Sequence, residues 1–340
     1  MPDQKIAVLG TGANGASIGA DLTRAGYDVT LIEQWPAHVE AMRRHGIRVE
    51  LPGETITTPV SVINLCEVAT LREKFDVVLV LMKAYDTIWA TELIKPYVAS
   101  DGLVVGVQNG MTVDDIARVM GVERTLGAVI EISSNMFDPG VVERQSPHAR
   151  SWFAVGGIDP STRGRENEAA DLLRHSGTVE IADDIRSSKW MKLVVNAAEL
   201  VPSAILGLPL AEAIRVPGMR EFMVEAGQEA VRTTLAIGNR VVPIFGMTAA
   251  DVTSPERFTE VLLDAVLTDF TVPSTRTTVL QDWMKGRRSE VDQINGLVVD
   301  EQRRLGGSAP ANQRAVEIAH QIESKELRAQ PSNAALLLAR

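Results

Sequence analysis

Lys5-Ile6-Ala7-Val8-Leu9-Gly10-Thr11-Gly12-Ala13-Asn14-Gly15 is the stretch whose reading decides the fold. Ile6 to Leu9 is a short apolar run of the kind buried on both faces of a parallel sheet. Glycines follow at G-x-G-x-x-G spacing, and a helix-compatible run extends from Ala16 to Ala25. Gly10 permits a tight turn, Gly12 a close approach of backbone to a pyrophosphate, and Gly15 close packing of helix on strand. An anion would then meet the unpaired N–H groups of a helix N-terminus. The glycine pattern alone is weak. Here a second strand, Asp28 to Ile32, ends at Glu33, about 20 residues on, where an acid binds the adenosine ribose. The cofactor-binding set read from this stretch is Gly10, Gly12, Ala13, Asn14, Gly15 and Glu33, which points to NAD, with NADP as the second option.

Working outward, Ala37 to His45 reads as a helix ended by Gly46, and Ile47–Leu51 with Thr55–Val62 as a hairpin around Pro52-Gly53. Asp76 to Met82 is another buried-strand run and ends at Lys83. Thr87 to Val98 suits a helix, and Leu103 to Val107 a strand that ends at Gln108-Asn109-Gly110. Alternation of this kind predicts an open, doubly wound α/β sheet, whose ligands bind outside the carboxyl ends of the strands. Gly10, Glu33, Lys83 and Asn109 all fall at such ends. For Lys83 alone, a snorkelling lysine at a strand end is the plainer reading. Thr125 to Gly156 reads as an antiparallel extension, and Thr178 to Ile181 as one more strand. Beyond Asp184 the pattern turns helical, in helices of roughly 10 to 20 residues. The expected division is a Rossmann-type domain over 1–183 and an all-helical domain over 184–340. Residues from about Leu327 read as a loose tail in which Ala334 to Leu338 could dock as a turn of helix.

The chain has 340 residues, enough for about two domains. Basic residues number 34 against 44 acidic ones, a net charge of −10, which argues against nucleic acid or an anionic membrane surface as partner. No apolar run reaches the ~18 residues of a membrane span. The first strand begins too early to leave room for a signal peptide. Cys66 is the only cysteine, and the five histidines show no metal-ligand spacing. The expectation is a cytoplasmic, metal-free protein.

Chemistry is carried by the helical half. Lys192, Asn196, Glu199 and Ser203 share one face of a helix. Such a stripe is either a solvated outer face or the wall of a polar cleft, and spacing does not choose. In Ser289-Glu290-Val291-Asp292, Ser289 and Asp292 read as surface residues, and Glu290 is ambiguous by pattern.

Taken together, these segments resemble the ketopantoate reductases (2-dehydropantoate 2-reductases). The resemblance rests on the glycine fingerprint, Met82-Lys83-Ala84-Tyr85-Asp86-Thr87, Gln108-Asn109-Gly110, Trp190-x-Lys192-Leu193-x-x-Asn196, Gln281-Asp282 and Glu290-x-Asp292-x-Ile294-Asn295-Gly296. It implies a Rossmann domain followed by a helical domain, an active site in the cleft between them, and a homodimer. It also implies that Lys192 is the general acid/base and Glu290 the active-site glutamate. Lys83 and Asn109 would lie near the nicotinamide ribose and substrate, and Asn196 would contact substrate, with Glu199 on the same face. The chain departs from the family pattern where Leu200 and Leu210 replace asparagines, and where Thr275 and Thr278 stand for an asparagine and a serine. These four are the candidate specificity positions. Losing amides that hold pantoate points to a different secondary alcohol or ketone, with NAD and oxidation favoured. A genuine 2-dehydropantoate 2-reductase is the alternative. An opine-type dehydrogenase or a non-catalytic dinucleotide sensor fits the Lys192 and Glu290 motifs less well.

Overall fold

A computed structural model describes residues 4–252 and 254–339. The chain divides into two compact units, Met1–Arg186 and Ser187–Arg340.

In the first unit, β1 (Lys5–Leu9), α1 (Ala13–Arg24), β2 (Asp28–Glu33) and α2 (Pro36–His45) follow in order. The hairpin expectation is corrected at its second arm. β3 (Ile47–Leu51) pairs antiparallel with β4 (Glu54–Thr58), but the run breaks at Pro59, and β5 (Ser61–Asn64) pairs parallel with β2 instead. Proline has no N–H to give the ladder, so the strand cannot continue through it. β6 (Phe75–Val80), α3 (Thr87–Ile94), β7 (Val98–Gly106), α4 (Val113–Met120) and β8 (Thr125–Glu131) complete the alternating part. α3 stops at Ile94, short of the expected Val98, because Pro96 follows in a tight turn and Val98 already begins β7. β9 (Ser134–Asn135), β10 (Val141–Arg144), β11 (Trp152–Gly157), α5 (Glu166–Leu173) and β12 (Thr178–Ile181) end the unit.

The main sheet has eight strands in the order β12-β11-β8-β7-β6-β1-β2-β5, and β4-β3-β10-β9 form a second, smaller sheet. From β1 the chain winds outward through β2 to β5, then returns to β6 on the other side of β1. The strand order therefore reverses at β1 and β6, the crevice where doubly wound sheets take their ligands. β11 alone joins the main sheet by an antiparallel pairing, with β8. Beneath the sheet, Arg144 of β10 is fully enclosed. It donates to Asp21 Oδ2 (2.7 Å) and Ser17 Oγ (3.1 Å) of α1, and Ser176 Oγ also donates to Asp21 Oδ2 (2.7 Å). An ion pair so buried persists because hydrogen bonds satisfy the rest of both groups.

The second unit is all helix: α6 (Ile185–Ile205), α7 (Leu210–Ala213), α8 (Met219–Ala236), α9 (Phe258–Ala265), α10 (Thr278–Met284), α11 (Leu297–Arg304), α12 (Pro310–Glu323) and α13 (Ala334–Leu338). Several are shorter than expected. Two π-helical segments, Val266–Phe270 and Asp292–Gly296, interrupt the regular turns. Glu229 of α8, itself buried, accepts the N–H groups of Ala311 and Asn312 (both 3.0 Å) and so caps α12. Asn295 donates to Ala197 O (3.0 Å) and to Asn312 Oδ1 (2.8 Å), which fastens the second π segment to α6 and α12. Residues 327–339 are not a loose tail, and Ala334–Leu338 docks as a short helix. Gln330 N and Asn333 Nδ2 both donate to Ile205 O (3.1 and 3.0 Å), closing the end of α6, and Leu337 is fully buried.

Candidate active site

In the first unit, the turn after β1 is built by steric necessity. Gly10 has φ +95°, and a Cβ there would lie 2.6 Å from Met82 N. A Cβ on Gly15 would lie 2.1 Å from Gly10 O. Gly12 is different: φ is −60°, and a Cβ would meet nothing within 4 Å. The fold therefore needs Gly10 and Gly15, whereas Gly12 keeps open the space in front of α1. That helix has no side-chain cap and no acid in its first turn, so its leading N–H groups suit the phosphates of a dinucleotide. Ala13 and Asn14 form its first turn, and Asn14 Oδ1 accepts from Ser134 Oγ (2.5 Å).

Glu33, at the end of β2, is buried. Its Oε2 accepts the N–H (2.9 Å) and hydroxyl (2.8 Å) of Thr11, and its Oε1 accepts the N–H of Trp35 (2.8 Å). A carboxylate has about four acceptor positions, so a ribose hydroxyl can still be taken. Thr11 was missed by sequence reading because it fills a variable place in the glycine pattern. Its carbonyl also bonds His38 Nε2 (3.0 Å), while His38 Nδ1 accepts Gly140 N–H (2.8 Å). The first cations after Glu33 in sequence are committed elsewhere. Arg43 pairs with Glu67 and, at 3.1 Å, with Glu40, and Arg44 lies 3.7 Å from Glu40. Across β1, Gln108 Nε2 donates to Met82 O and Thr87 Oγ1 (both 2.9 Å), tying the exits of β6 and β7 together and fixing the segments that carry Lys83 and Asn109. Lys83 and Asn109 are both half-buried.

The site implies a clean contrast between glycines. Gly12→Ala should fold with an unchanged melting temperature and lose NADH affinity, whereas Gly15→Ala should lower the melting temperature outright. Thermal melts with NADH fluorescence titrations check both. Normal NADH binding by Gly12→Ala would remove this turn from the cofactor site.

In the second unit, the polar stripe of α6 is enclosed: Lys192 is 8% exposed, Asn196 1% and Glu199 5%. The solvated-face reading therefore fails. Ser203, the last of the stripe, is a helix-internal hydroxyl that donates to Glu199 O (2.6 Å). Lys192 Nζ lies 5.2 Å from the ring centroid of Phe245, within cation–π range. Phe245 itself has a left-handed φ of 62°, unusual for an aromatic residue, and packs on Phe270 at 5.3 Å. Lys189, a turn earlier on α6, is a buried lysine that pattern reading passed over; burial lowers its pKa to about 8.

Leu200 and Leu210 are buried, and Leu210 opens α7. Leu210 N–H donates to Thr275 O (3.0 Å), and Thr275 Oγ1 accepts Val272 N–H (2.9 Å), so both belong to one fastened turn. The buried hydroxyl of Thr278 has no hydrogen-bond partner among the described residues. Glu290 is buried, and so is Ser289, against the surface expectation, whereas Asp292 lies at the surface as expected. Ser289 donates to Glu323 Oε1 through N–H (2.9 Å) and hydroxyl (2.6 Å), and Asp292 bonds His320 (2.7 Å) and Arg288 (3.0 Å). Among the described residues, no cluster of three or more His, Cys, Asp or Glu could hold a metal, and no helix is long and apolar enough to cross a membrane.

A glycine turn at a strand reversal, an acid closing the second strand and a helical second unit together define a Rossmann-type, NAD(P)-dependent oxidoreductase. The family described as ketopantoate reductase PanE/ApbA matches residues 6–156, and its C-terminal counterpart matches 184–323. The chain thus belongs to the ketopantoate reductase PanE/ApbA family, whose members act on CH–OH groups. It is 27% identical to a 2-dehydropantoate 2-reductase of Archaeoglobus fulgidus, over 95% of this chain and 99% of that one. A PanE/ApbA family ketopantoate reductase from Ralstonia eutropha JMP134 superposes with a TM-score of 0.79 at 29% identity, covering 95% of this chain and 99% of the other. D-mandelate dehydrogenase, solved with NADH and anilino(oxo)acetate, shares the fold with a TM-score of 0.83 at 20% identity, with the same coverage.

Proposed function

We propose that this protein is an NAD-linked dehydrogenase that oxidises a secondary alcohol other than pantoate, with Lys192 as general base and Glu290 orienting the hydroxyl. Bound NAD supplies the hydride acceptor. Lys192 takes the hydroxyl proton as the carbonyl forms, and returns it in the reverse direction. Asn196 and Glu199 on the Lys192 face, with Leu200, Thr275 and Thr278, would contact the substrate; the buried, unsatisfied Thr278 hydroxyl supports that role. Gly10, Gly12, Ala13, Asn14 and Gly15 would hold the pyrophosphate, and Lys83 and Asn109 the nicotinamide end. A cytoplasmic homodimer is the proposed setting.

The observation that carries the NAD reading is the Glu33 carboxylate, held at the strand end by three hydrogen bonds while Arg43 and Arg44 are engaged by acids. A 2′-phosphate would meet this anion, while Arg43 and Arg44 are already paired with acids. NAD(H) should be preferred about tenfold or more in kcat/KM, the factor that ~1.4 kcal/mol of repulsion gives. A genuine 2-dehydropantoate 2-reductase is the second reading, favoured by the names of several relatives. Buried leucines cannot hydrogen-bond a carboxylate, so pantoate and ketopantoate should be poor substrates beside less acidic, more apolar alcohols and ketones. Initial rates with both cofactors, across pantoate, ketopantoate, aromatic 2-hydroxy acids and neutral secondary alcohols, test all of this. Equal rates with NADP(H), or ketopantoate ahead of every neutral compound, would overturn it.

A further inference from the structure

In the second unit, an open cavity of about 650 Å³ lies beside the outward side of α10. Its walls combine an apolar floor, from Leu280, Trp283 and Met284, with three cations, Arg276, Lys325 and Arg328. The volume is that of a small-molecule site.

Three features set it apart. First, none of the three cationic side chains makes an ion pair or hydrogen bond among the described residues. Elsewhere on the surface, Arg303 and Arg304 lean on Asp300 and Glu301. Second, Lys325 stands just beyond the end of α12 with a left-handed φ of 66°. Glycine is the usual residue at that place, so a lysine there strains the backbone, and it does so in the wall of the cavity. Only Phe245, beside Lys192, is a second non-glycine residue with positive φ among the described residues. Third, the polar edge of the Trp283 indole is already satisfied, since Nε1 donates to Glu323 Oε1 (3.0 Å). What the tryptophan contributes to the cavity is apolar surface.

We propose that this cavity binds a small organic phosphate with an aromatic or apolar body. Two guanidinium groups and an ammonium match the charge and the several acceptor oxygens of a phosphate better than the single charge of a carboxylate. Trp283, Leu280 and Met284 take the body. The assignment is independent of the dehydrogenase reading, since none of these residues belongs to the proposed catalytic or cofactor set.

The test is isothermal titration of the full chain with phenyl phosphate, alongside inorganic phosphate and phenylacetate. Phenyl phosphate should bind saturably and more tightly than either. Lys325→Gly should weaken it about tenfold, and Arg328→Gln comparably, the factor that ~1.4 kcal/mol of lost charge-assisted bonding gives. Lys325→Gly also relieves the left-handed strain, so its melting temperature should hold or rise, which separates lost binding from lost fold. Inorganic phosphate binding as tightly would show that the apolar floor is idle, and phenylacetate binding as tightly would reject the phosphate. Undiminished binding in both variants, or no saturable heat from any probe, would overturn the site.

Discussion

Lys192→Met should lower kcat by about 10²–10⁴-fold, the range contributed by a positioned general acid or base. Methionine keeps most of the unbranched stem, and the flanking Met191, Leu193, Val194 and Val195 are fully buried, so packing survives the change. What is lost is the amine, its proton, and the contact with the Phe245 ring at 5.2 Å. NADH affinity should be unchanged, because the residues proposed to hold the dinucleotide belong to the first unit. A proton-transfer role therefore predicts a large fall in kcat with an intact cofactor titration and an intact melt. Loss of NADH binding alongside activity would instead indicate collapse of the site. Near-normal kcat would assign Lys192 to structure. Glu290→Gln should act in the same direction but more weakly if it only orients the hydroxyl, since an amide still hydrogen-bonds.

That experiment bears on what the chain discloses before it folds. The Rossmann half is legible because its signals are backbone signals. Gly10 and Gly15 stand where a Cβ would strike Met82 N or Gly10 O, and the apolar runs of β1, β6 and β7 are strands buried on both faces. Two errors of topology occur there: reading Thr55 to Val62 as a single strand passes over Pro59, and reading Thr125 to Gly156 as an antiparallel extension misses that β8 pairs parallel with β7 and β10 parallel with β3. The helical half is less legible. Its two π segments rest on longer hydrogen-bonded turns, such as Gly296 N to Val291 O (3.0 Å), which leave no recognisable spacing in sequence. Nor can pattern separate Ser289, Glu290 and Asp292. Two are tied to Glu323 and His320, and that follows from the tertiary placement of α12. The Arg144–Asp21 pair spans most of the first unit's length, and no local pattern marks either partner. Thr11 is hidden for a related reason: its role comes from Glu33 and His38, which reach it from β2 and α2.

Lys189 is the sharpest case of two residues that sequence cannot tell apart, and it carries the second large expectation. It lies three residues before Lys192 on the same helix, and both are enclosed. Burial lowers the Lys189 pKa from its ordinary 10.5 to about 8, because the low-dielectric interior disfavours the ammonium. Above about pH 10.5 the amine is neutral in both folded and unfolded chains, and it imposes no penalty. As pH falls from there to about 8 the unfolded chain takes up the proton first, so stability declines through this window. Below it both forms are charged, and the folded state carries the full penalty, about 3 kcal/mol at ~1.4 kcal/mol per pH unit. The stability of Lys189→Met relative to the parent should therefore fall by that order as pH rises from about 8 to past 10.5. Urea unfolding of both proteins across this range measures the gap directly. A gap that does not change with pH would mean that the Lys189 ammonium is as favourable inside the fold as in water. Lys189 would then be a structural anchor of α6.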